Sequence, residues 1–315
     1  MPNWNQILNE VVASGSTHDL IRRKYLSELN QYTGRNVIIY YSGWLQKREL
    51  ASNSRGFAFS INDEDKTGFM SCVHGMDRSK GLDLLLHTPG GEIAATESLV
   101  QYLKSMFDGN IRVIVPELAL SAGTMIACSA KEIVMGSHSS LGPIDPQYRG
   151  LPAHGVIEEV ERAKIELSTA RNQAELIARQ SVWQPIIAKY NPTLIGECEK
   201  AIKWSNEMVK EWLTSCMLKD EENSSEKAEE ILIELGDHAM TKSHDRHISK
   251  DKAKSIGLKI VELENDQELQ EKVLSVHHAT IQTLGSTPSV KIIENQMGIA
   301  FINNAPPLLI QHNKQ

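Results

Sequence analysis

Apolar residues recur along the chain with two different periods, and the change from one to the other divides it into elements. Residues 1–30 place Ile7, Leu8, Val11 and Val12, then Leu20, Tyr25 and Leu29, at helical intervals, with a capping signal at 16–19 between the two runs. Residues 37–41 are a β-branched and aromatic run of strand length, closed by Ser42-Gly43. A polar turn over 62–68 precedes a helical pattern over 69–76.

From Leu82 the pattern repeats. Residues 82–87 read as a strand, the Thr-Pro-Gly-Gly of 88–91 as a tight turn, and 93–107 as a helix. A second strand follows over 111–115, then a turn over 116–120, a helix over 121–130 and a third strand over 133–135. This βαβ alternation predicts a parallel sheet with helices on its faces. Ligands of such sheets collect at the carboxyl ends of the strands, where the turns at 88–91 and 116–120 converge. Beyond a Gly- and Pro-rich break at 139–146, charged helical patterns run over 156–179 and 195–218, with Pro185 and Pro192 separating them. A further helix over 227–235, a turn and short helix over 244–258 ended by Gly257, and a hairpin over 290–293 and 299–302 lead to a Pro-rich tail. No internal repeat is present, which excludes a solenoid.

Composition narrows the partners. With 41% hydrophobic and 23% charged residues in 315, the chain is neither a disordered polymer nor a membrane bundle. Thirty-three Lys and Arg against forty Asp and Glu give a formal charge of −7, which opposes a broad grip on nucleic acid or on anionic membranes. Cys72, Cys128, Cys198 and Cys216 lie far apart with no CxxC, the pattern of free thiols in a reducing compartment. The first residues lack a basic region followed by an apolar core, and the uncharged stretch 118–130, thirteen residues long, is too short to span a bilayer. A cytoplasmic protein with no integral membrane segment is expected.

Two segments carry candidate chemistry. Gly90 and Gly91 follow a strand and precede a helix, so backbone N–H groups there can face an oxyanion or a phosphate; a Pro-Gly-Gly by itself is also an ordinary turn. Ser121 stands where turn meets helix among Ala and Gly residues, so its hydroxyl lies beside the free N–H groups of the first helical turn. A lone serine there is most simply a helix cap. Consecutive βα turns offering an oxyanion pocket and a serine are together what acyl transfer requires.

The residues 82–146, with HTPGG, SAGTMIA and SSLGPIDPQ, resemble the Clp peptidase/crotonase superfold and, more narrowly, the serine dehydrogenase proteinase family. The likeness extends to Asn36-Val-Ile-Ile-Tyr-Tyr41, Ser243-His-Asp-Arg-His-Ile-Ser249 and Pro288-Ser-Val-Lys-Ile-Ile-Glu294. The resemblance implies an α/β fold with a Clp/crotonase-like parallel sheet. Its catalytic core would comprise 31–150 and 236–265, flanked by an N-terminal helical segment (1–30), a helical region (151–235) and a C-terminal helix, hairpin and tail (266–315). It implies a serine peptidase in which Ser121 is the nucleophile and the N–H groups of Gly90 and Ala122, with Gly91 adjoining, form the oxyanion hole.

The base is open between a lysine and a histidine. Where Clp peptidases carry a histidine, this sequence reads Ile144-Asp145-Pro146-Gln147, so the Clp triad is not reproduced. Lys164, forty-three residues after Ser121, matches approximately the lysine of archaeal Ser-Lys relatives, although Glu158, Glu159, Glu161 and Glu166 around it also suit a solvated helix face. His244 and His247 are the alternatives, and Asp145 either orients the base or caps a turn. His87 reads as a strand-end histidine that satisfies a backbone carbonyl or orients the oxyanion loop. The histidines at 238, 244, 247, 277 and 278 have no metal-ligand framework, so no metal and no cofactor are expected. The expected partners are a peptide or protein substrate and further copies of this chain, in a trimer or higher ring. No P-loop is present, so any ATP-driven step would belong to a partner. A crotonase-type acyl-CoA enzyme and a non-catalytic assembly member are the competing readings.

Overall fold

The computed structural model describes residues 7, 18–53, 58–148, 150–236 and 247–305. In chain order its principal elements are α1 (His18–Thr33), β1 (Asn36–Ser42), α2 (Arg48–Asn53), α3 (Asp63–Val73), β2 (Leu82–His87), α4 (Ile93–Phe107), β3 (Ile111–Val115), β4 (Leu118–Ala119), α5 (Ala122–Cys128), β5 (Glu132–Met135), β6 (Ser140–Leu141), β7 (Gln147–Tyr148) and β8 (Leu151–Pro152). There follow α6 (Ala153–Ser168), α7 (Gln173–Ile187), α8 (Leu194–Trp212), α9 (Ser224–Gly236), β9 (Ile248–Ser249), α10 (Lys250–Ser255), β10 (Ile260–Glu262), α11 (Gln267–Ser286), β11 (Ser289–Asn295) and β12 (Ala300–Asn304).

Among the described residues seven strands form the main sheet in the order β10-β5-β3-β2-β1-β11-β12. The first five are parallel, and β11 and β12 close one edge antiparallel. Both faces are covered. Ile38, Tyr40, Leu84, Leu86 and Val113 point into a core shared with α3, α4 and α5, while Ile39, Tyr41, Leu85 and Ile114 point into one shared with α1 and α11. Burial on both faces is why these strands are continuous apolar runs rather than alternating ones. A small sheet, β4-β6-β9, lies beside the carboxyl ends of the central strands.

The helical region departs from the sequence pattern in one respect. The helix expected over 156–179 breaks at 169–172, where the Asn172 side chain accepts the Glu175 N–H at 2.9 Å and starts α7. Pro185, expected to separate helices, lies inside α7 two residues before its end, where it removes the N–H that would bond the Ser181 carbonyl. The expected helix over 69–76 also begins earlier, because Asn62 and Asp65 form a reciprocal capping box at its start. The turn at 116–120 contains β4, and the hairpin over 289–304 is present. The tail from 306 and most of 1–17 lie outside the described residues.

Candidate active site

β2 and β4 carry two turns to one place. Thr88 and Ala119 pair as a parallel bridge, with Thr88 N–H donating to the Leu118 carbonyl and Leu120 N–H donating to the Thr88 carbonyl, each at 3.0 Å. Residues 88–91 are thereby seated against 120–122. Gly90 has φ 103°, and a Cβ there would lie 2.8 Å from the Leu120 carbonyl oxygen, 2.8 Å from Ser121 Cβ and 3.1 Å from the Ala122 nitrogen. Glycine is what lets the two turns touch. Gly91 is held from its other side: a Cβ there would lie 2.2 Å from the Ile61 nitrogen. Ile61 N–H donates to the Gly90 carbonyl (2.8 Å), and Glu92 N–H donates to the Ile61 carbonyl (2.9 Å).

Ser121 immediately precedes α5 with φ 51° and ψ −114°. Of the three non-glycine residues with positive φ among the described residues, Asp108 and Thr193 occupy the ordinary left-handed well; the ψ of Ser121 takes it outside. Such a conformation costs about 1–3 kcal/mol and persists only where the surroundings enforce it. The serine makes no capping hydrogen bond, so its hydroxyl is not committed to the helix it precedes. A strained strand-to-helix turn of this kind is able to present a side-chain hydroxyl without committing it to the helix that follows.

The donors around it are unequal. Ala122 N–H and Gly91 N–H have no acceptor among the described residues, whereas Gly90 N–H donates to Thr88 Oγ1 at 3.1 Å. The loop following β6 is tied to the same turn. Thr124 Oγ1 lies 2.9 Å from the Ala119 carbonyl oxygen and 2.8 Å from that of Gly142, and it accepts the Gly142 N–H at 3.0 Å. Cys128, one helix length behind the serine, is fully buried, and burial pushes its thiol up to about 12, so it packs rather than reacts.

Of the candidate bases, Lys164 and His247 lie among the described residues. Lys164 on α6 is 66% exposed and pairs with Glu161 at 2.6 Å; that hydrogen bond raises its pKa, opposite to the direction a neutral base needs. His247 is exposed beside β9, whose Ile248 pairs with Leu141. No hydrogen bond joins Ser121 to Lys164 or His247. His244 lies outside the described residues. Asp145 is buried on the loop after β6, near Cys198 of α8, whose thiol its charge raises further.

Two buried groups beside the turns were not singled out from the sequence as a unit. The His87 ring stacks on Trp44 (4.4 Å between centroids) and sits edge-on to His277 at 5.7 Å. Its Nδ1 accepts the Leu118 N–H at 3.4 Å, so it serves a backbone amide rather than the carbonyl expected. His277 Nδ1 lies 3.2 Å from the Tyr41 hydroxyl, and its Nε2 lies 3.6 Å from the Glu117 carboxylate. Burial lowers His87 to about 3 and His277 well below the usual range, so both imidazoles are neutral at pH 7. The second group is Lys291 with Asp65 and Tyr40, behind Ile61. Helical period alone cannot show that His277 faces the sheet, nor that a hairpin lysine points inward. Among the described residues no group of three or more His, Cys, Asp or Glu side chains is placed to hold a metal ion, and no helix is long and apolar enough to cross a membrane.

The chain is 29% identical over 233 residues to the uncharacterized protein MJ1495 of Methanocaldococcus jannaschii, covering 74% of this chain and 68% of that one. It is 32% identical over 200 residues to the uncharacterized protein MJ0137 of the same organism, covering 64% of this chain and 60% of the relative. Among solved structures it is similar to a membrane-bound stomatin-specific protease at 21% identity and a TM-score of 0.26, over 38% of this chain and 64% of that one. The ClpP-like SDH-type serine proteinases match residues 21–298, nearly the whole described sheet and its helices, and the chain belongs to that family.

Proposed function

We propose that this chain hydrolyses peptide bonds through an acyl-enzyme on Ser121. The observation that carries the reading is the contact of the Gly90 turn with a strained, uncapped Ser121 and the open N–H of Ala122. Ser121 Oγ attacks the carbonyl carbon and passes its proton to the base. The carbonyl oxygen becomes an oxyanion facing Ala122 N–H and the Gly90-Gly91 loop. Collapse breaks the C–N bond, the amine leaves with the proton, and water then hydrolyses the ester with the base acting again. Each oxyanion donor is worth about 3 kcal/mol of barrier. Gly91 N–H is open as the structure stands, and Gly90 N–H serves once it leaves Thr88 Oγ1.

The base in this proposal is Lys164 or a histidine at 244 or 247, with Asp145 orienting it. Lys164 fits only if it leaves Glu161 and is desolvated, which packing against a second copy of the chain in a ring would accomplish. That no base among the described residues is hydrogen-bonded to Ser121 also suits a non-catalytic assembly role. The two readings separate on one experiment: incubation with a peptide mixture and sequencing of the new amino termini. Cleavage by the wild type that is lost in Ser121→Ala supports the peptidase; no new termini from an assembled wild type supports the assembly role. Turnover of acyl-CoA retained in Ser121→Ala would instead favour crotonase-type chemistry.

A further inference from the structure

The oxyanion loop is clamped by a polar group buried in the sheet. Lys291 of β11 and Asp65 of α3 are 1% and 0% exposed, and Lys291 Nζ donates to both Asp65 carboxylate oxygens at 2.8 and 3.0 Å. Two charges so deeply buried are costly unless every lone pair and proton is used, and here they are used on one segment. Lys291 Nζ also donates to the Ser60 carbonyl at 2.8 Å, and Asp65 Oδ2 accepts the Asn62 N–H at 3.0 Å. Residues 60 and 62 are thus fixed on either side of Ile61. Ile61 is the residue whose backbone N–H and C=O hold Gly90 and Glu92, and whose nitrogen a Cβ on Gly91 would strike.

Tyr40 completes the buried group: its hydroxyl donates to Asp65 Oδ2 at 2.8 Å. The Lys291 ammonium lies 5.8 Å from the centre of the Tyr40 ring, within cation–π range. Replacing a buried ion pair by well-packed apolar residues is often neutral or stabilising, so fold stability is a weak reason for these charges.

We infer that Lys291, Asp65 and Tyr40 are positioning residues that set the Gly90-Gly91 loop against Ser121 through the backbone of residues 60–62. The inference rests on the peptidase reading for its catalytic consequence, but the clamp itself is measurable without it. The test uses the full-length protein as Asp65→Asn with Lys291→Met, which removes both charges together and keeps an oxygen acceptor for the Asn62 N–H. Lys291→Arg, which keeps the charge and donors, is the conservative control. Amide exchange over 88–92 is expected to quicken more than tenfold in the double variant while β2 and β3 keep their protection, and Lys291→Arg is expected to restore most of it. The rate of Ser121 labelling by a fluorophosphonate is expected to fall about 10²-fold in step, the size of losing one oxyanion donor. Unchanged exchange over 88–92 in the folded double variant, or loss of protection spread evenly over the sheet, overturns the inference. A wild type that takes no label at Ser121 overturns the peptidase reading instead and leaves the exchange result to decide the clamp.

Discussion

Ser121 and Gly90 meet at one contact: the serine's backbone lies outside the allowed wells, and a Cβ on Gly90 would fall 2.8 Å from Ser121 Cβ. Gly90→Ala combines an unfavourable φ with a Cβ placed 2.8 Å from the Leu120 carbonyl oxygen and Ser121 Cβ, so the turns must separate. Labelling of Ser121 by a fluorophosphonate should drop by at least 10² while the thermal midpoint falls only a few degrees; retention of the wild-type rate would show that the contact is unimportant. His87 gives a prediction about pH. Its folded pKa of about 3 lies below its ordinary 6.5, so the unfolded chain binds the extra proton. The associated stability is present above pH 6.5 and drains away as pH falls toward 3, by about 2 kcal/mol between pH 6.5 and 5. Urea unfolding at pH 7.5 and 5 should therefore show a smaller acid loss for His87→Phe than for wild type. An equal loss in both would mean that His87 is already protonated in the fold. At this scale the sequence displays Ser121 through its small neighbours, but it cannot show strain. Nor does it show that Asp65, in what reads as a polar turn, meets Lys291 across more than two hundred residues.

The strands and helices were legible wherever one period ran long enough. Residues 82–87 and 111–115, followed by their helices, needed only the apolar pattern and the Gly-rich turn between them. What local pattern cannot supply is the partner of each element. Asp83 illustrates this. Inside an apolar strand it looks like an interruption, yet it is fully buried and binds Arg35 at 2.6 Å and Arg112 at 3.0 and 2.6 Å, pinning the starts of β1, β2 and β3 at the end opposite the serine. Asp83→Ala leaves two partly buried guanidinium groups facing each other and should cost about 3–5 kcal/mol of folding stability in urea. Because the site lies at the other end of the strands, the labelling rate of the protein that remains folded should be unchanged. A parallel drop in that rate would mean the two ends are coupled through the sheet. The break at 169–172 was missed for a similar reason: a capping asparagine within a long charged pattern is visible only once the helices are seen to turn back on one another.

Across the whole molecule, α6 and the first half of α8 build a core separate from that of the sheet, which the second half of α8 joins through Met208, Val209 and Trp212. Their small shared core centres on Ala153, Val156, Leu194 and Cys198, while Ile165, Ile177, Val182 and Trp204 remain exposed. Lys164 lies on the same helix as Ile165, and within one chain it makes no hydrogen bond to Ser121. Assembly is the step we propose to bring a base to the serine, and it gives a complementation prediction. Ser121→Ala and Lys164→Ala should each lose peptidase activity by 10² or more, and mixing them under conditions of subunit exchange should restore part of it. Activity of Lys164→Ala at the wild-type level would transfer the role of base to a histidine at 244 or 247. The most direct measurement remains the site of covalent reaction: a fluorophosphonate applied to the full-length protein, digested and mapped by mass spectrometry. The expected result is a single adduct on Ser121 that is absent from a correctly folded Ser121→Ala variant; an adduct on another residue, or one that survives in that variant, would contradict it.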